Sequence, residues 1–331
     1  MSGTVVVALG GNAVAPPAER PTIVNQFRHT RESLAPIVEL ARRGWNVAIV
    51  HGNGPQVGEE LLRNETARDR VEPLPLGVLV AATAGWMGYM IQQSLQNALR
   101  RAGIRRRVVT LVTQTLCDTR DPRSKEPVKP IGHPLAVAQR ESLRRRSVPV
   151  GRDGAGRWRR MAPSPRPTAI VESDIVRTLV HAGDLVVTCG GGGPPVYDDP
   201  KLFLEGVDAV VDKDRVAAIL GRELRADVLL ILTDVDAVYR GWGKPGAHPI
   251  HRLTLVEADS LLTEGETQEG SMRPKLEAAI DFVRAGGARA VIADLGHGLE
   301  ALEGLAGTTV VSGVASEPAD GSPATAARYS E

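Results

Sequence analysis

Three isolated lysines beside glycine turns are the residues of this chain that could do chemistry. Lys129 stands in Lys-Pro-Ile-Gly, Lys213 stands between two aspartates, and Lys275 ends the stretch Gly-Ser-Met-Arg-Pro-Lys. Lysine is a compact positive charge with three donors, and phosphoryl transfer needs cations and in-line positioning more than covalent chemistry from the protein. Each lysine alone is more often a surface charge, but their shared placement favours a site for several phosphate charges.

Glycine clusters directly follow three short apolar runs of the sequence. They are Gly-Gly-Asn at 10–12, His-Gly-Asn-Gly-Pro at 51–55, and four glycines with a proline at 190–194. Glycine tolerates positive φ and lets backbone N–H groups approach an anion closely. One such turn is weak evidence, whereas three of them together with the lysines predict a cradle for phosphate groups.

The apolar runs before these clusters predict the elements that position them. Valine-rich runs of about five residues that end in turn formers are typical of buried parallel strands. The glycines then lie at the carboxyl ends of the strands, where open α/β sheets bind their ligands. Because strand and helix patterns alternate along most of the chain, we expect an α/β protein with a mainly parallel sheet covered by helices on both faces.

Three stretches of the pattern carry specific expectations. Residues 22–43 predict one helix that Pro36 interrupts and kinks. Residues 108–117 predict a single strand, and residues 151–158 predict the turn of a small hairpin. These boundaries matter because they decide which motifs end at the same edge of the sheet.

The segment 118–167 differs in character from its surroundings. It carries eight prolines and many basic residues, with a helical pattern near 135–146. A loop of this length is unusual inside a compact domain unless it is functional or disordered. We interpret it as an inserted subdomain or lid, with a disordered linker as the alternative. The small, polar tail at 315–331 is predicted to be disordered.

The composition argues against several classes of protein. A net charge of +1 disfavours a general nucleic-acid-binding role, so the Arg-rich runs at 100–107 and 144–146 are interpreted as solvated helix ends. Cys117 and Cys189 form no CxxC pair and no disulfide framework, which fits a reducing compartment. The most apolar stretch, 78–91, is too short to span a membrane. We expect a cytoplasmic protein without nucleic-acid or membrane partners.

The common catalytic signatures are missing from the sequence. There is no GxxxxGK[ST] phosphate loop, and HGNGPQVG does not fit the GxGxxG dinucleotide fingerprint. His248 and His251 form an HxxH pair interrupted by Pro249, and solvated loop histidines explain them as well as a metal site does. We therefore expect no metal site made of protein side chains.

Seven motifs occur in an order that resembles one family. They are VALGGNA at 7–13, HGNGPQVG at 51–58, KPIG at 129–132, CGGGG with PV at 189–196, DKD at 212–214, LTxVD at 232–236 and GSMxPK at 270–275. Together they are similar to the carbamate kinases of the amino acid kinase superfamily, and the similarity covers residues 4–312. The resemblance implies reversible phosphoryl transfer between ATP and carbamate with Mg²⁺, in a homodimer with the three-layer αβα sandwich of the amino acid kinase fold.

The resemblance also implies two lobes and a metabolic use. Residues 1–205 are expected to form the acid-binding lobe for carbamate, including a protruding lid subdomain at 118–167. Residues 206–314 are expected to form the nucleotide-binding lobe. Such enzymes commonly consume carbamoyl phosphate to make ATP during arginine, agmatine or purine breakdown.

By the same resemblance, Lys129 reaches from the lid to the migrating phosphoryl group, while Lys213 and Lys275 neutralise the nucleotide phosphates. Asp214 orients the lysines. The implied lining of the transfer site is Gly10, Gly11, Asn12, Gly52, Asn53, Gly54, Gly190, Gly191, Gly192 and Gly193. The implied nucleotide-binding residues are Lys213, Thr233, Val235, Asp236, Tyr239, Lys244, Met272 and Lys275.

One stretch departs from the family pattern. Many carbamate kinases have Met-Thr-Gln-Gly before the Gly-Tyr near residue 88, whereas this chain has Ala-Thr-Ala-Gly at 82–85 followed by Trp86. If this region touches the substrate, the loss of a glutamine amide at Ala84 changes the pocket. If it is helix core or dimer surface, the change means little, and we favour the helix core.

Two other functions stay open. A diverged acid kinase of the same superfamily would phosphorylate another small carboxylate or carbamate-like acid, and acyl phosphate formation on a substrate panel would distinguish it. A nucleotide-binding regulator would keep the fold without turnover. The presence of Lys129 argues against the regulator, because a nucleotide sensor has less need of a lysine at the migrating phosphoryl group.

Overall fold

The computed structural model describes residues 3–11, 14–16, 19–265 and 272–313. These ranges include nearly all the residues of the seven motifs. Asn12, the two residues that open the last motif (Gly270 and Ser271) and the predicted tail at 315–331 lie outside the described residues. No described helix is long and apolar enough to cross a membrane.

Strands and helices alternate along the described chain. The strands are β1 (Thr4–Leu9), β2 (Asn46–His51), β3 (Val108–Thr110), β4 (Thr115–Cys117), β5 (Pro127–Ile131), β6 (Val150–Arg152), β7 (Trp158–Pro163), β8 (Pro167–Ile170), β9 (Leu185–Thr188), β10 (Pro195–Asp199), β11 (Phe203–Gly206), β12 (Val228–Thr233), β13 (Val238–Arg240), β14 (His248–Ile250), β15 (Arg252–Thr254), β16 (Arg289–Asp294) and β17 (Thr308–Val311). The helices are α1 (Ile23–Ser33), α2 (Ala35–Arg42), α3 (Gly54–Ala67), α4 (Leu76–Arg101), α5 (Val137–Arg145), α6 (Ser173–His181), α7 (Lys213–Leu224), α8 (Leu255–Thr263), α9 (Met272–Arg284) and α10 (Gly298–Leu302).

Eight strands form the central sheet, in the order β15-β17-β16-β12-β1-β2-β9-β3. Every neighbouring pair is parallel except β16 and β17, which run antiparallel. The central strands β1 and β12 are buried along their whole length. Strands buried on both faces have continuous apolar sequences, which is why the valine-rich runs predicted a mainly parallel sheet correctly.

Helices cover both faces of this sheet. Val6 and Ala8 of β1 belong to a core cluster that also contains apolar residues of α6, α7, α8 and α9. Val5 and Val7 belong to a second cluster that contains residues of α2, α4 and α10. Successive side chains of a strand point to opposite faces, so β1 serves both clusters. The three-layer αβα sandwich is therefore confirmed.

The central strands β1 and β12 mark the point where the strand order reverses. The next strand beside β1 on one side is β2, and the next strand beside β12 on the other side is β16. Leu9 at the end of β1 is paired with Leu232 of β12 and with His51 of β2, so the carboxyl ends of these strands are level. Open α/β sheets bind ligands at such a reversal. The glycine turns lie at this edge.

The prediction of one kinked helix over 22–43 is wrong, because the chain forms two helices there. Helix α1 ends at Ser33 and α2 begins at Ala35, with Leu34 between them. Pro36 lies in the first turn of α2, where its missing N–H costs no helical hydrogen bond. In a continuous helix its ring would clash with the carbonyl four residues earlier, so the proline starts a helix instead of bending one.

The prediction of one strand over 108–117 is also wrong. Strand β3 pairs with β9 in the central sheet, whereas β4 pairs with β8 and β10 in a separate sheet of order β11-β10-β4-β8. Residues 111–114 carry the chain from one sheet to the other. The apolar pattern continues across this crossing without glycine or proline, so nothing in the sequence marks it.

The segment 118–167 contains a folded unit of its own. Strands β5, β7 and β6 form an antiparallel sheet in that order, and β6 and β7 form the predicted hairpin. The unit rests on α3, where Gly132 N donates to Gly54 O at 2.9 Å. A Cβ on Gly58 would lie 2.0 Å from the Cα of Gly132, so the two backbones are in close contact. Strand β5 of this unit carries Lys129.

Candidate active site

The glycine turns after β1 and β2 meet at the carboxyl edge of the sheet. Gly10 N donates to the carbonyl of Leu232 on β12 at 3.0 Å, which fixes the first turn against the neighbouring strand. A Cβ on Gly52 would lie 3.1 Å from Gly11 N and 3.2 Å from the side chain of Lys213. Glycine at position 52 therefore leaves room for the lysine beside both turns.

The amino end of α3 begins directly after the second turn and has no side-chain cap. Asn53 occupies the N-cap position, but its Nδ2 donates instead to Thr83 Oγ1 of α4 at 2.8 Å. Pro55 has no N–H, and Gly54 N has no acceptor among the described residues. Free N–H groups and the helix dipole make such an end attractive to an anion.

The turn after β9 forms a second anion cradle. Cys189 and Gly191 have left-handed backbone conformations, with φ of 51° and 68°, whereas Gly190 between them does not have a positive φ. This alternation turns successive N–H groups toward one concavity, called a nest. Gly192 N and Gly193 N bond within the turn, to Cys189 O and Gly190 O. The N–H groups of Gly190 and Gly191 have no acceptor in the part of the chain that the structure describes.

The nest packs directly against the end of β2 and the start of α3. A Cβ on Gly191 would lie 2.1 Å from Asn53 Nδ2, and a Cβ on Gly190 would lie 2.6 Å from His51 Nε2. Side chains at these positions are excluded, so the two cradles adjoin. Burial raises the pKa of the Cys189 thiol to about 11, so the thiol is protonated at neutral pH and is no nucleophile.

Three lysines and two aspartates form a charge cluster at the amino ends of α7 and α9, in which Lys129 is partly exposed and the two aspartates are buried. Lys213 donates to Asp214 Oδ1, and Lys275 Nζ lies 3.3 Å from Asp214 Oδ2. Lys129, which comes from β5, donates to Asp212 Oδ2. The structure thus brings together the four residues expected to be catalytic and adds Asp212 to them.

Asp212 has two roles in this arrangement. Its Oδ1 caps α7 by accepting from Asp214 N at 3.0 Å and from Arg215 N at 3.3 Å. Its Oδ2 faces Lys129. The aspartate that begins α7 therefore also holds the lysine of the 118–167 unit, and it ties that unit to the far half of the sheet.

Burial and charge oppose each other in this cluster. Burial alone would raise the carboxyl pKa of Asp212 and of Asp214, but the lysine ammonium groups hold both pKa values below their usual range. Burial lowers the ammonium pKa of Lys213 despite its aspartate partner. At Lys275 the aspartates outweigh burial and raise the pKa. Lys213 thus carries a destabilised charge that a phosphate anion would stabilise.

The nucleotide residues expected from the resemblance follow β12. Thr233 ends β12 and Met272 begins α9, and both are buried. Val235 is half-buried against the core. The hydroxyl of Tyr239 donates to Asp236 Oδ2 at 3.0 Å.

Lys244 lies in the exposed loop between β13 and β14. Among the described residues, no hydrogen bond or ion pair joins Tyr239 or Lys244 to the lysine–aspartate cluster. Trp242 contacts Tyr239 edge to face, with ring centroids 5.0 Å apart. The sequence analysis missed Trp242, although an aromatic three residues after Tyr239 is a visible signal in a chain with only 3% aromatics.

The described residues contain no group of three or more His, Cys, Asp and Glu side chains that could hold a metal ion. The two buried aspartates of the cluster are engaged by lysines. His248 and His251 contact backbone carbonyls, those of Gly246 and Gly307.

The stretch that departs from the family pattern lies on α4. Trp86 is half-buried and packs against the small apolar cluster of Val14, Met87 and Met90. Ala84 is buried, but a Cβ on Gly190 would lie 2.8 Å from its methyl group. Position 84 therefore packs against the nest as well as the core.

Comparisons with known proteins agree with this geometry. Residues 3–294 match the model of the amino acid kinase family. The chain is 41% identical to the carbamate kinase of Pyrococcus horikoshii, over 94% of this chain and 99% of that protein. It is 45% identical to the carbamate kinase of Halobacterium salinarum, over 92% and 97% respectively. The structure of Giardia lamblia carbamate kinase bound to AMP-PNP aligns with a TM-score of 0.85 at 35% identity, covering 94% of this chain and 99% of that one.

Proposed function

The chain belongs to the amino acid kinase family and, within it, to the carbamate kinases, and we propose that its two anion cradles and its lysine–aspartate cluster are the site of phosphoryl transfer between carbamoyl phosphate and ADP. The observation that carries this proposal is the meeting of free backbone donors with three lysines at the carboxyl edge of the sheet. The same site serves the reverse reaction of ATP with carbamate.

The chemistry asks little covalent help of the protein. In the direction of ATP synthesis, a terminal oxygen of ADP attacks phosphorus while the bond from phosphorus to the carbamoyl oxygen breaks, and carbamate leaves with the electron pair. The attacking oxygen is already an anion, so no general base is required. Catalysis then rests on positioning and on charge stabilisation.

The fixed donors match the places where charge develops. The nest and the amino end of α3 hold the equatorial oxygens of the migrating group with N–H groups that need no reorganisation. Lys129 reaches the same group from the 118–167 unit. Lys213 and Lys275 neutralise the nucleotide phosphates, and Asp214 fixes the direction of both.

The two lobes follow the two halves of the sheet. Strands β1, β2, β3 and β9 belong to the acid-binding lobe, 1–205, and β12, β15, β16 and β17 belong to the nucleotide-binding lobe, 206–314. The Giardia relative binds AMP-PNP, an ATP analogue, which supports ATP and ADP as the nucleotide substrates. The adenosine-binding residues are Thr233, Val235, Asp236, Tyr239, Lys244 and Met272.

Magnesium enters with the nucleotide. The two buried carboxylates of the described site are both engaged by lysines, so these side chains do not offer a ligand set of their own. Mg²⁺ prefers oxygen ligands and keeps several waters, and it commonly binds through substrate phosphates. The substrate is therefore the magnesium complex of ADP or ATP, and the metal adds positive charge on the phosphate oxygens.

The 118–167 unit acts as a lid over the transfer site. It carries Lys129 and rests on α3, and closing it would exclude water and limit hydrolysis of carbamoyl phosphate.

The working form is a homodimer in the cytoplasm that serves the breakdown of arginine, agmatine or purines. Exposed apolar residues near edge strand β3, Tyr89 and Val112, offer a surface for the second copy, and sedimentation tests this state.

A diverged acid kinase is the second candidate, because Ala84 packs against the nest. A panel of small acids tests both candidates, with ATP-dependent ADP release measured on bicarbonate plus ammonia, acetate, formate and propionate. The main proposal predicts release that requires both bicarbonate and ammonia, the source of carbamate. Faster release with a simple carboxylate would replace carbamate by that acid.

A further inference from the structure

The residue that starts the nest has a backbone conformation that its side chain disfavours. Cys189 has φ of 51° and ψ of 38°, in the left-handed region where residues other than glycine are uncommon. It is fully buried at the end of β9. Some neighbouring group must hold this conformation, because the chain would otherwise relax and the N–H groups of Gly190 and Gly191 would turn away.

Thr113 is that neighbouring group. It lies in the crossing between β3 and β4 and is 1% exposed. Its Oγ1 accepts from Cys189 N at 3.0 Å and donates to Cys189 Sγ at 3.3 Å. The hydroxyl of Thr188 lies 3.1 Å away and can donate to the second lone pair. A hydroxyl has one donor and two acceptor sites, so Thr113 is fully satisfied by this turn.

A second threonine holds the other end of the same turn. Thr115 is fully buried, and its Oγ1 donates to Gly192 O at 2.6 Å. The two threonines are two residues apart in an extended segment, so they face the same side. Gln114 between them binds Glu172 instead. The turn is therefore held at the N–H of its first residue and at the carbonyl of its fourth.

We propose that Thr113 is a positioning residue for phosphoryl transfer: its hydroxyl fixes Cys189 in the left-handed conformation and thereby aims the free N–H groups of Gly190 and Gly191 at a phosphate-like anion. The proposal rests on the proposed function for its link to turnover, but its effect on anion binding can be measured without turnover. Thr113 itself does not touch the reacting atoms.

The test compares three conservative variants. Thr113→Val keeps the shape and removes the hydroxyl, and Thr113→Ser keeps the hydroxyl and removes a methyl group. Thr110→Val is the matched control, because its hydroxyl donates to Gly88 O at 3.0 Å on the same segment but does not contact the turn. All assays are run at a temperature where thermal unfolding shows every variant to be folded.

The first readout is turnover with carbamoyl phosphate and ADP. We expect Thr113→Val to lower kcat about 10- to 100-fold, which is less than the loss from deleting an oriented donor because the N–H groups are misdirected and not removed. The KM for ADP is expected to stay nearly unchanged. Thr113→Ser and Thr110→Val are expected to stay within about threefold of the unmodified protein. Equal kcat in Thr113→Val and Thr110→Val would overturn the proposal, because a purely structural role predicts that result.

The second readout is the rise in Tm caused by inorganic phosphate, compared with chloride at equal ionic strength. The unmodified protein and Thr113→Ser are expected to gain stability with phosphate, and Thr113→Val is expected to lose most of that gain. An equal gain in Thr113→Val, or no gain in the unmodified protein, would overturn the proposal. If the unmodified protein gains stability with phosphate but does not turn over carbamoyl phosphate, that result counts against carbamoyl phosphate as the substrate. The difference in the phosphate effect between the unmodified protein and Thr113→Val would still decide the role of Thr113.

Discussion

At the scale of residues, replacing Lys129 tests whether catalysis can be separated from nucleotide binding. Lys129 comes from the 118–167 unit, whereas Lys213 lies on α7 and Lys275 lies on α9. We expect Lys129→Ala to lower kcat about 100-fold or more, because a charge at the migrating group acts mainly in the transition state. The KM for ADP is expected to change by less than about threefold.

The control for this experiment is Lys125→Ala, which removes an exposed lysine of the same unit. Lys125→Ala should leave kcat and the KM for ADP unchanged. If Lys129→Ala kept full turnover, Lys129 would have no part in the transfer, and the unit would be a structural insert.

His51 makes the stability of the protein depend on pH. Burial lowers the pKa of its imidazole from 6.5 to about 4, so the folded protein holds it neutral. Between these two pH values the unfolded chain binds a proton that the folded chain does not, so stability falls as the pH drops from 6.5 toward 4. We expect a loss of about 2 kcal/mol between pH 7 and pH 5 from this residue.

Urea unfolding at the two pH values measures this contribution. His51→Gln, which has no titrating ring, should lose less stability on acidification than the unmodified protein. Parallel losses in both proteins would show that other groups cause the pH dependence.

The sequence identifies site residues whose type is rare in their local surroundings, such as a lysine next to glycines and aspartates. Lysine beside glycine and aspartate is rare enough that Lys213 and its neighbours were predicted from spacing and resemblance. Thr83, Thr113 and Thr115 were not, because threonine is common and their partners lie far away in the chain, 76 residues in the case of Thr113 and Cys189. Contacts of that range are created by the fold and leave no local signal.

At the scale of elements, the contact between α3 and the 118–167 unit decides where Lys129 can reach. A Cβ on Gly58 would lie 2.0 Å from Gly132 Cα and 2.6 Å from Gly132 N, and both are backbone atoms that cannot rotate away. We expect Gly58→Ala to push the unit off α3 and to lower kcat about 100-fold, since a displacement of about 1 Å can have that effect.

Gly85→Ala is the matched helical control, because a Cβ there would meet nothing within 4 Å. It should raise stability by up to about 1 kcal/mol through helix propensity and leave turnover unchanged. Normal turnover of Gly58→Ala would mean that this contact does not position Lys129.

Some boundaries of helices and strands can be predicted from the sequence, and others cannot. Helix α8 begins with a capping box, in which Thr254 Oγ1 accepts from Glu257 N and Glu257 accepts from Thr254 N. This pair is a visible start signal that the sequence analysis passed over. The division between β3 and β4 has no such signal, because both halves are apolar and the sheets they join are set by distant strands.

At the scale of the whole molecule, one sheet joins the two proposed lobes, and the candidate site lies at its carboxyl edge where they meet. β1 and β12 are hydrogen-bonded neighbours along their length. The alternation of elements predicted the fold class, and the motif order predicted the family, because both are properties of the chain as a whole.

The most direct test of this account is ATP formation from ADP and carbamoyl phosphate by the purified chain, coupled to hexokinase and glucose-6-phosphate dehydrogenase. We expect one ATP for each carbamoyl phosphate consumed, dependence on Mg²⁺, and loss of the activity when Lys213 and Lys275 are both replaced by alanine. A folded protein that binds ADP but forms no ATP above the uncatalysed rate would contradict the account.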